Sequence, residues 1–200
     1  MGIPIILVRA NWWCTSLVNI QLNLLLGIQM IVSSIVAIDE SNIIGVNGKI
    51  PWNIPYDIQR FRYITENRTV IMGAKTWDSL PNKPLPNRKN IIISSSSSIY
   101  NESLKYENVH VRRQLPQALS ECLEGKEREV FLIGGVEIYK EGFNYVDKIY
   151  LTLVHQNNLR LLSRDDTCTI CDAFEDLSDF YETRTEETYE YTFTIYRRKS

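Results

Sequence analysis

Ile50-Pro51-Trp52-Asn53-Ile54-Pro55-Tyr56-Asp57 is the stretch whose reading decides the fold. Two prolines bracket its centre and mark a stiff turn that feeds a helix. Asn53 is the expected N-cap, and Pro55 falls in the first turn, where its missing N–H costs nothing. Ile54, Asp57, Ile58, Phe61 and Ile64 with Thr65 then recur at helical spacing, which puts Asp57 on the apolar stripe. A carboxylate on a buried face is costly unless something compensates it. Arg60 and Arg62 are read as projecting sideways, so no cation is expected on that face. Asp57 then either bonds nearby backbone at the core edge or waits in a cleft for a cationic or hydrogen-bond-donating ligand.

Around this stretch the chain has the makings of one domain with a sizeable core: 200 residues, 44% hydrophobic. A net charge of −2 carries no nucleic-acid footprint, which needs a clustered basic excess. Four cysteines, at 14, 122, 168 and 171, are too scattered for a disulfide framework, so reduced intracellular thiols are expected. Cys168-Thr-Ile-Cys171 lacks a second pair or a nearby histidine for zinc, and the surrounding aspartates disfavour thiolates; two loop cysteines are expected, and no metal. Residues 1–29 carry a single charge, Arg9, and polar residues interrupt their apolar runs. They contain no unbroken membrane span, compact signal core or arginine-rich presequence. The expectation is an upstream extension, a domain over 30–200, a cytoplasmic location and no membrane partner. Mitochondrial targeting by 1–29 is the weaker alternative.

Along the chain, Ile31–Ile38 reads as a buried strand, and Asp39–Lys49 as a polar loop with Gly45 and Gly48. Strands are expected at Thr69–Met72, Asn90–Ser94, Val109–Arg112, Val130–Ile133 and Lys148–His155. Helices are expected at Thr76–Leu80, Pro116–Leu123 and after Gly134-Gly135. Ser94–Ser98 reads as a loop, and residues 156–178 as an irregular insertion. Tyr189, Tyr191, Phe193 and Ile195 alternate with polar residues, so an antiparallel pair closes the chain. Alternating helices and strands predict an α/β fold whose central sheet is mixed but mostly parallel, with antiparallel C-terminal strands and flanking helices.

Two strand-to-helix junctions stand out: Val70-Ile-Met-Gly-Ala-Lys-Thr76 and Phe131-Leu-Ile-Gly-Gly-Val136. Free N–H groups at a helix start bind anions, and glycine lets backbone approach a phosphate. Paired in one sheet, the junctions suggest a dinucleotide laid across strand ends. Three ordered motifs resemble dihydrofolate reductase: Pro51-Trp-Asn-Ile-Pro-Tyr-Asp57, Met72-Gly-Ala-Lys-Thr-Trp77 and Gly134-Gly-Val-Glu-Ile-Tyr139. The resemblance runs from about Met30 to the C-terminus.

It implies a single-domain dihydrofolate-reductase-like fold, dihydrofolate as substrate, NADPH as cofactor and a monomer. The implied reaction is hydride transfer to pterin C6 with a proton added at N5. Asp57 would bond the pterin's amino group and ring nitrogen, Thr152 would support it, and Trp52 would fix that corner. Ile35 would offer its backbone carbonyl, while Ile58, Phe61, Leu80 and Leu85 line the slot. Arg88 would clamp a substrate carboxylate, which suits its forked geometry. Ala37, Ile44, Gly45 and Ile50 would hold the nicotinamide end beneath the 39–53 loop. Gly73, Lys75, Thr76, Ser94, Ser95, Ile133, Gly134, Gly135, Val136, Ile138 and Tyr139 would hold the rest of the cofactor.

Two positions depart from the family pattern. Ala74 and Glu137 stand where members carry basic groups against the cofactor's phosphates, so weaker discrimination against NADH is expected. Asp166-Thr167 is followed by Cys168 without the usual proline, and residues 165–172 receive no role. The alternatives are the reductase of riboflavin synthesis, which shares the architecture, and a non-catalytic descendant kept for binding.

Overall fold

Alternating β-branched residues in Ile31–Asp39 (β1) make it the centre of the sheet: Val32, Val36 and Ile38 are buried on one face. The computed structural model describes residues 30–156, 163 and 165–199. Residues 1–29, with the expectation of an extension, lie outside the described residues.

The elements that follow are β2 (Ile43–Val46), α1 (Pro55–Thr65), β3 (Thr69–Gly73), α2 (Ala74–Ser79) and β4 (Lys89–Ile93). Next come α3 (Ser97–Ser103), β5 (Val109–Arg112), α4 (Leu115–Glu124), β6 (Glu129–Leu132) and α5 (Val136–Gly142). The last are β7 (Lys148–Val154), β8 (Cys168–Ile170), β9 (Phe180–Glu187) and β10 (Tyr191–Arg198). The eight-stranded sheet runs β5-β4-β3-β6-β1-β7-β10-β9. Pairing is parallel from β5 through β7, while β10 runs antiparallel to both β7 and β9. The mixed, mostly parallel α/β fold expected from the sequence is the one observed.

Each face of the sheet carries its own apolar layer. Val32, Val36 and Ile38 pack with Leu115, Leu119, Ile138 and Tyr139 of α4 and α5. On the other face Phe131, Tyr150 and Phe193 pack with Ile54 and Trp77, and Ile35 joins them half-buried. A fully buried side chain such as Phe131 or Leu132 contributes about 1.5–3 kcal/mol. No helix among the described residues is long and apolar enough to cross a membrane.

Four local expectations are corrected. The α1 N-cap is Ile54, not Asn53: the residue before Pro55 is held extended (φ −114°, ψ 92°), so the helix starts at the proline itself. The 39–49 segment is not only loop, because β2 pairs antiparallel with β8, inside the stretch expected to be irregular. Both strands are too short to show as a periodic pattern. An Asn47-Gly48 turn with φ of 51° and 73° follows β2, closed by two backbone bonds between Val46 and Lys49. Of the serine run, Ser97 and Ser98 belong to α3, which buries Ile99 and Ser103; a polar run hid a helix anchored by a residue outside it.

Candidate active site

The site begins where β1 parts from one of its neighbours. β1 pairs with β6 only as far as Ser34↔Leu132, yet stays on β7 to Asp39↔Val154. A crevice therefore opens at the carboxyl ends of β1 and β6, where an open α/β sheet takes a ligand. Tyr139 of α5 bridges the fork, its hydroxyl donating to the Ile35 carbonyl at 2.8 Å. That oxygen keeps a second lone pair. Burial pushes the Tyr139 hydroxyl pKa up, so it remains a neutral donor.

Asp57 faces this crevice from the first turn of α1. Thr152 of β7 pairs with Ala37 in the ladder, and its hydroxyl donates to Asp57 Oδ1 at 2.6 Å. The Asp57 pKa is raised above the ordinary carboxylate range. Burial is the chief cause; the Thr152 bond and the charge of Arg60 pull it partly back. Arg60 was expected to point away, and the structure corrects this. It lies three residues on, where helical side chains are neighbours, and that spacing was the signal available in the sequence. Its side chain is 10% exposed, its Nη2 donates to Glu186 Oε1 at 2.8 Å, and its guanidinium lies 3.9 Å from the Phe193 ring centroid.

Only Thr65 of α1 is fully buried. Phe61 and Ile64 pack on the core only half-buried and Ile58 is 44% exposed, so the apolar stripe closes on core only in part. Trp52, Leu80 and Leu85, also half-buried, pack on the same layer as Ile35 and Phe61. Asn90, which sequence reading passed over, fastens Leu85 by accepting from its N–H at 3.1 Å and donating to its carbonyl at 3.0 Å. An apolar slot with one carboxylate at its floor suits a flat heterocycle that presents N–H donors.

Arg88 is 7% exposed and firmly seated. Nε donates to Thr65 Oγ1 at 2.9 Å, Nη1 to the Pro86 carbonyl at 2.7 Å and Nη2 to the Arg62 carbonyl at 3.1 Å. Of five guanidinium donors this leaves one on each Nη. Thr65, itself anchored to the Phe61 carbonyl, is a positioning residue the sequence did not single out.

On the opposite flank Gly73 and Gly135 are the N-caps of α2 and α5, neither with a side-chain cap. Gly73 N–H donates to the Gly134 carbonyl at 2.7 Å, locking the two junctions together. Gly134 has φ +118°, and a Cβ there would meet Thr76 Oγ1 at 3.2 Å. The glycines therefore leave a cradle that side chains would fill, with N–H groups at the helix starts; exposed Lys75 follows Gly73 in the chain, and exposed Ser95 lies just past β4, which pairs with β3. Ser94 is half-buried and its hydroxyl accepts from Ser96 N–H. Ile133 is buried and Val136 half-buried between the junction and the core. Ile138 was expected to meet the cofactor. It is 4% exposed in the core, its Cγ1 placed 3.4 Å from where a Gly73 Cβ would stand. Its offset from Gly135 turns it toward the sheet. Ala74 is half-buried and Glu137 exposed, so neither brings a cation to the cradle.

The Asn47 turn of the 39–53 loop is tied down from residues that received no role. Asn47 Nδ2 donates to Asp166 Oδ1 at 2.6 Å, and Thr167 N–H donates to Asn47 Oδ1 at 2.9 Å. Of the residues expected at the nicotinamide end, Ile44 packs on the core layer of Val36 and Ile38, Gly45 is buried, Ala37 is half-buried and Ile50 is 63% exposed. Cys168 lies in β8 rather than a loop, and Cys171 is buried just beyond it. Three strand steps separate them by roughly 10 Å, too far for a disulfide.

A family model described as dihydrofolate reductase matches residues 31–198. Over 123 residues the chain is 40% identical to the dihydrofolate reductase of Buchnera aphidicola subsp. Acyrthosiphon pisum, a match spanning 62% of this chain and 71% of that protein. Over 124 residues it is 37% identical to that of Bacillus subtilis, spanning 62% and 69%. A solved structure, dihydrofolate reductase from Enterococcus faecalis complexed with NADP(H) and RAB-propyl, aligns with a TM-score of 0.67 at 24% identity. That alignment covers 85% of this chain and 97% of that one.

Proposed function

Because the chain belongs to the dihydrofolate reductase family, we propose that it reduces 7,8-dihydrofolate to tetrahydrofolate with NADPH, and that the Asp57 slot receives the pterin. The observation that carries this reading is the half-buried Asp57 carboxylate, held by Thr152, on the helix whose Phe61 shares an apolar layer with Ile35, Leu80 and Leu85. When bound, the nicotinamide dinucleotide supplies the hydride.

The chain's own residues bind, orient and polarise. Asp57 accepts hydrogen bonds from the pterin's amino group and ring nitrogen, while the Ile35 carbonyl accepts at the other edge. Burial raises the Asp57 pKa, with Thr152 and Arg60 pulling it partly back, and the carboxylate supports a protonated N5 electrostatically. Trp52 walls that corner. Arg88 offers its two remaining N–H groups to a substrate carboxylate. Gly73, Gly134, Gly135 and Thr76 fit a pyrophosphate in the cradle, with Lys75 and Ser95 for an outer phosphate. Ala37, Ile44, Gly45 and Ile50 cover the nicotinamide end and exclude water. The missing cation at Ala74 and the anion at Glu137 weaken grip on the 2′-phosphate, so NADPH is preferred over NADH by less than several thousandfold in kcat/KM.

The test is consumption of NADPH on adding dihydrofolate. Asp57→Asn is expected to lower kcat at least ~100-fold while leaving NADPH affinity unchanged. No dihydrofolate-dependent consumption by the unaltered protein overturns the reading.

A further inference from the structure

We propose that Arg60, anchored by Glu186, is a positioning residue for Asp57, and that its guanidinium sets how tightly the carboxylate and the bound heterocycle together hold the proton the reaction consumes. This rests on the reading of the slot given above. Arg60 stands one helical turn beyond Asp57 on α1 and is nearly buried. Its planar cation lies on the Phe193 ring and against those of Tyr56 and Tyr191, with centroid distances of 3.9, 5.0 and 5.3 Å. One carboxylate, Glu186 of β9, pairs with it, and Nη1 is buried with no acceptor.

The aromatic shelf attracts a cation, but a side chain kept there only for packing does not require one. An apolar residue of similar length packs there without the desolvation that a buried cation incurs. What the cation adds is a positive potential at the half-buried Asp57, screened only in part by solvent. The groups around Asp57 are few and can be named. Thr152 donates from β7, and Arg60 acts from α1. Glu186 on β9 and the Tyr191 hydroxyl on β10, within 3.4 Å of each other, act through Arg60, as does the Tyr56 ring. Glu186 is therefore a brake: it compensates part of the charge that Arg60 would otherwise present to Asp57. Because substrate and carboxylate share one proton, the observable is the apparent pKa of the pair.

The experiment uses the full chain and two readouts: carboxyl NMR titration of Asp57 in the free protein, with 13C-labelled aspartate, and the pH profile of kcat/KM for dihydrofolate. Arg60→Met keeps the stem on Phe193 and removes the cation, so both midpoints are expected to move to higher pH. Glu186→Gln uncovers the cation, so both are expected to move to lower pH. Arg60→Lys keeps the charge and is expected to stay near the parent. Opposite shifts from the two neutralisations are a signature that lost packing alone does not produce. Midpoints that stay put, or move the same way in both variants, overturn the proposal. If Arg60→Met fails to fold, Glu186→Gln, altered at a 33% exposed side chain, decides by itself. If dihydrofolate is not turned over at all, the functional reading fails while the NMR titration still judges Arg60.

Discussion

Thr152→Val removes one hydroxyl and keeps the shape, the β-branching and the strand position. Thr152 is 3% exposed, so no water takes the place of its 2.6 Å bond to Asp57. A hydrogen bond to a charged acceptor contributes about 1.5–3 kcal/mol. Asp57 is half-exposed, and solvent screening reduces this to about 1–2 kcal/mol. The same loss at the transition state is a fall in kcat/KM of roughly 5- to 30-fold. Stability carries a separate sign. The folded-state pKa of Asp57 is already raised, so folding binds a proton more tightly than the unfolded chain does. Stability from this group is full below the ordinary carboxylate pKa and is lost as pH rises through the raised folded value. Losing the Thr152 bond raises that value further. Thr152→Val is therefore expected to cost about 2–8 °C in Tm at pH 7 and distinctly less in acid, where Asp57 is protonated. Steady-state assays of NADPH consumption across pH, with thermal unfolding in the same buffers, measure both. A variant with parental kcat/KM, or a Tm loss equal at every pH, refutes the assignment of Thr152 as the partner of an ionised Asp57.

Two further perturbations address the cofactor side. Gly134→Ala places a Cβ at φ +118° and 3.2 Å from Thr76 Oγ1, so a loss of about 1–3 kcal/mol and a several-fold rise in KM for NADPH are expected; an unchanged Tm and KM count against the cradle. Ala74→Arg restores a cation beside the outer phosphate, worth up to ~1 kcal/mol if partly screened, and is expected to raise the NADPH-to-NADH ratio of kcat/KM about fivefold. A ratio that does not change removes position 74 from cofactor selection.

Much of this chain is legible in one dimension because its signals are local. Pro55 starts α1 whatever surrounds it, since its ring sets φ and its missing N–H is of no use elsewhere. β1, β3, β4 and the closing hairpin announce themselves by β-branched runs or strict alternation, and Gly134-Gly135 marks a junction whose first residue, at φ +118°, leaves little room for a side chain. The elements that escaped are those whose stability comes from a distant partner. β2 and β8 are four and three residues long and exist because they pair with each other across more than a hundred positions. Ser97 and Ser98 are helical because Ile99 finds a core to enter. The division recurs in the site. Spacing alone put Asp57 on an apolar stripe, but its bond to Thr152, 95 residues away, is a product of α1 packing over β7. Arg60 was visible three positions on, yet only the shelf of Tyr56, Tyr191 and Phe193 and the reach of Glu186 decide that it turns inward. Backbone preference and periodicity act over a few residues and can be read in order. Burial, charge compensation and donor placement depend on which surfaces meet, and that is settled only once the sheet has assembled.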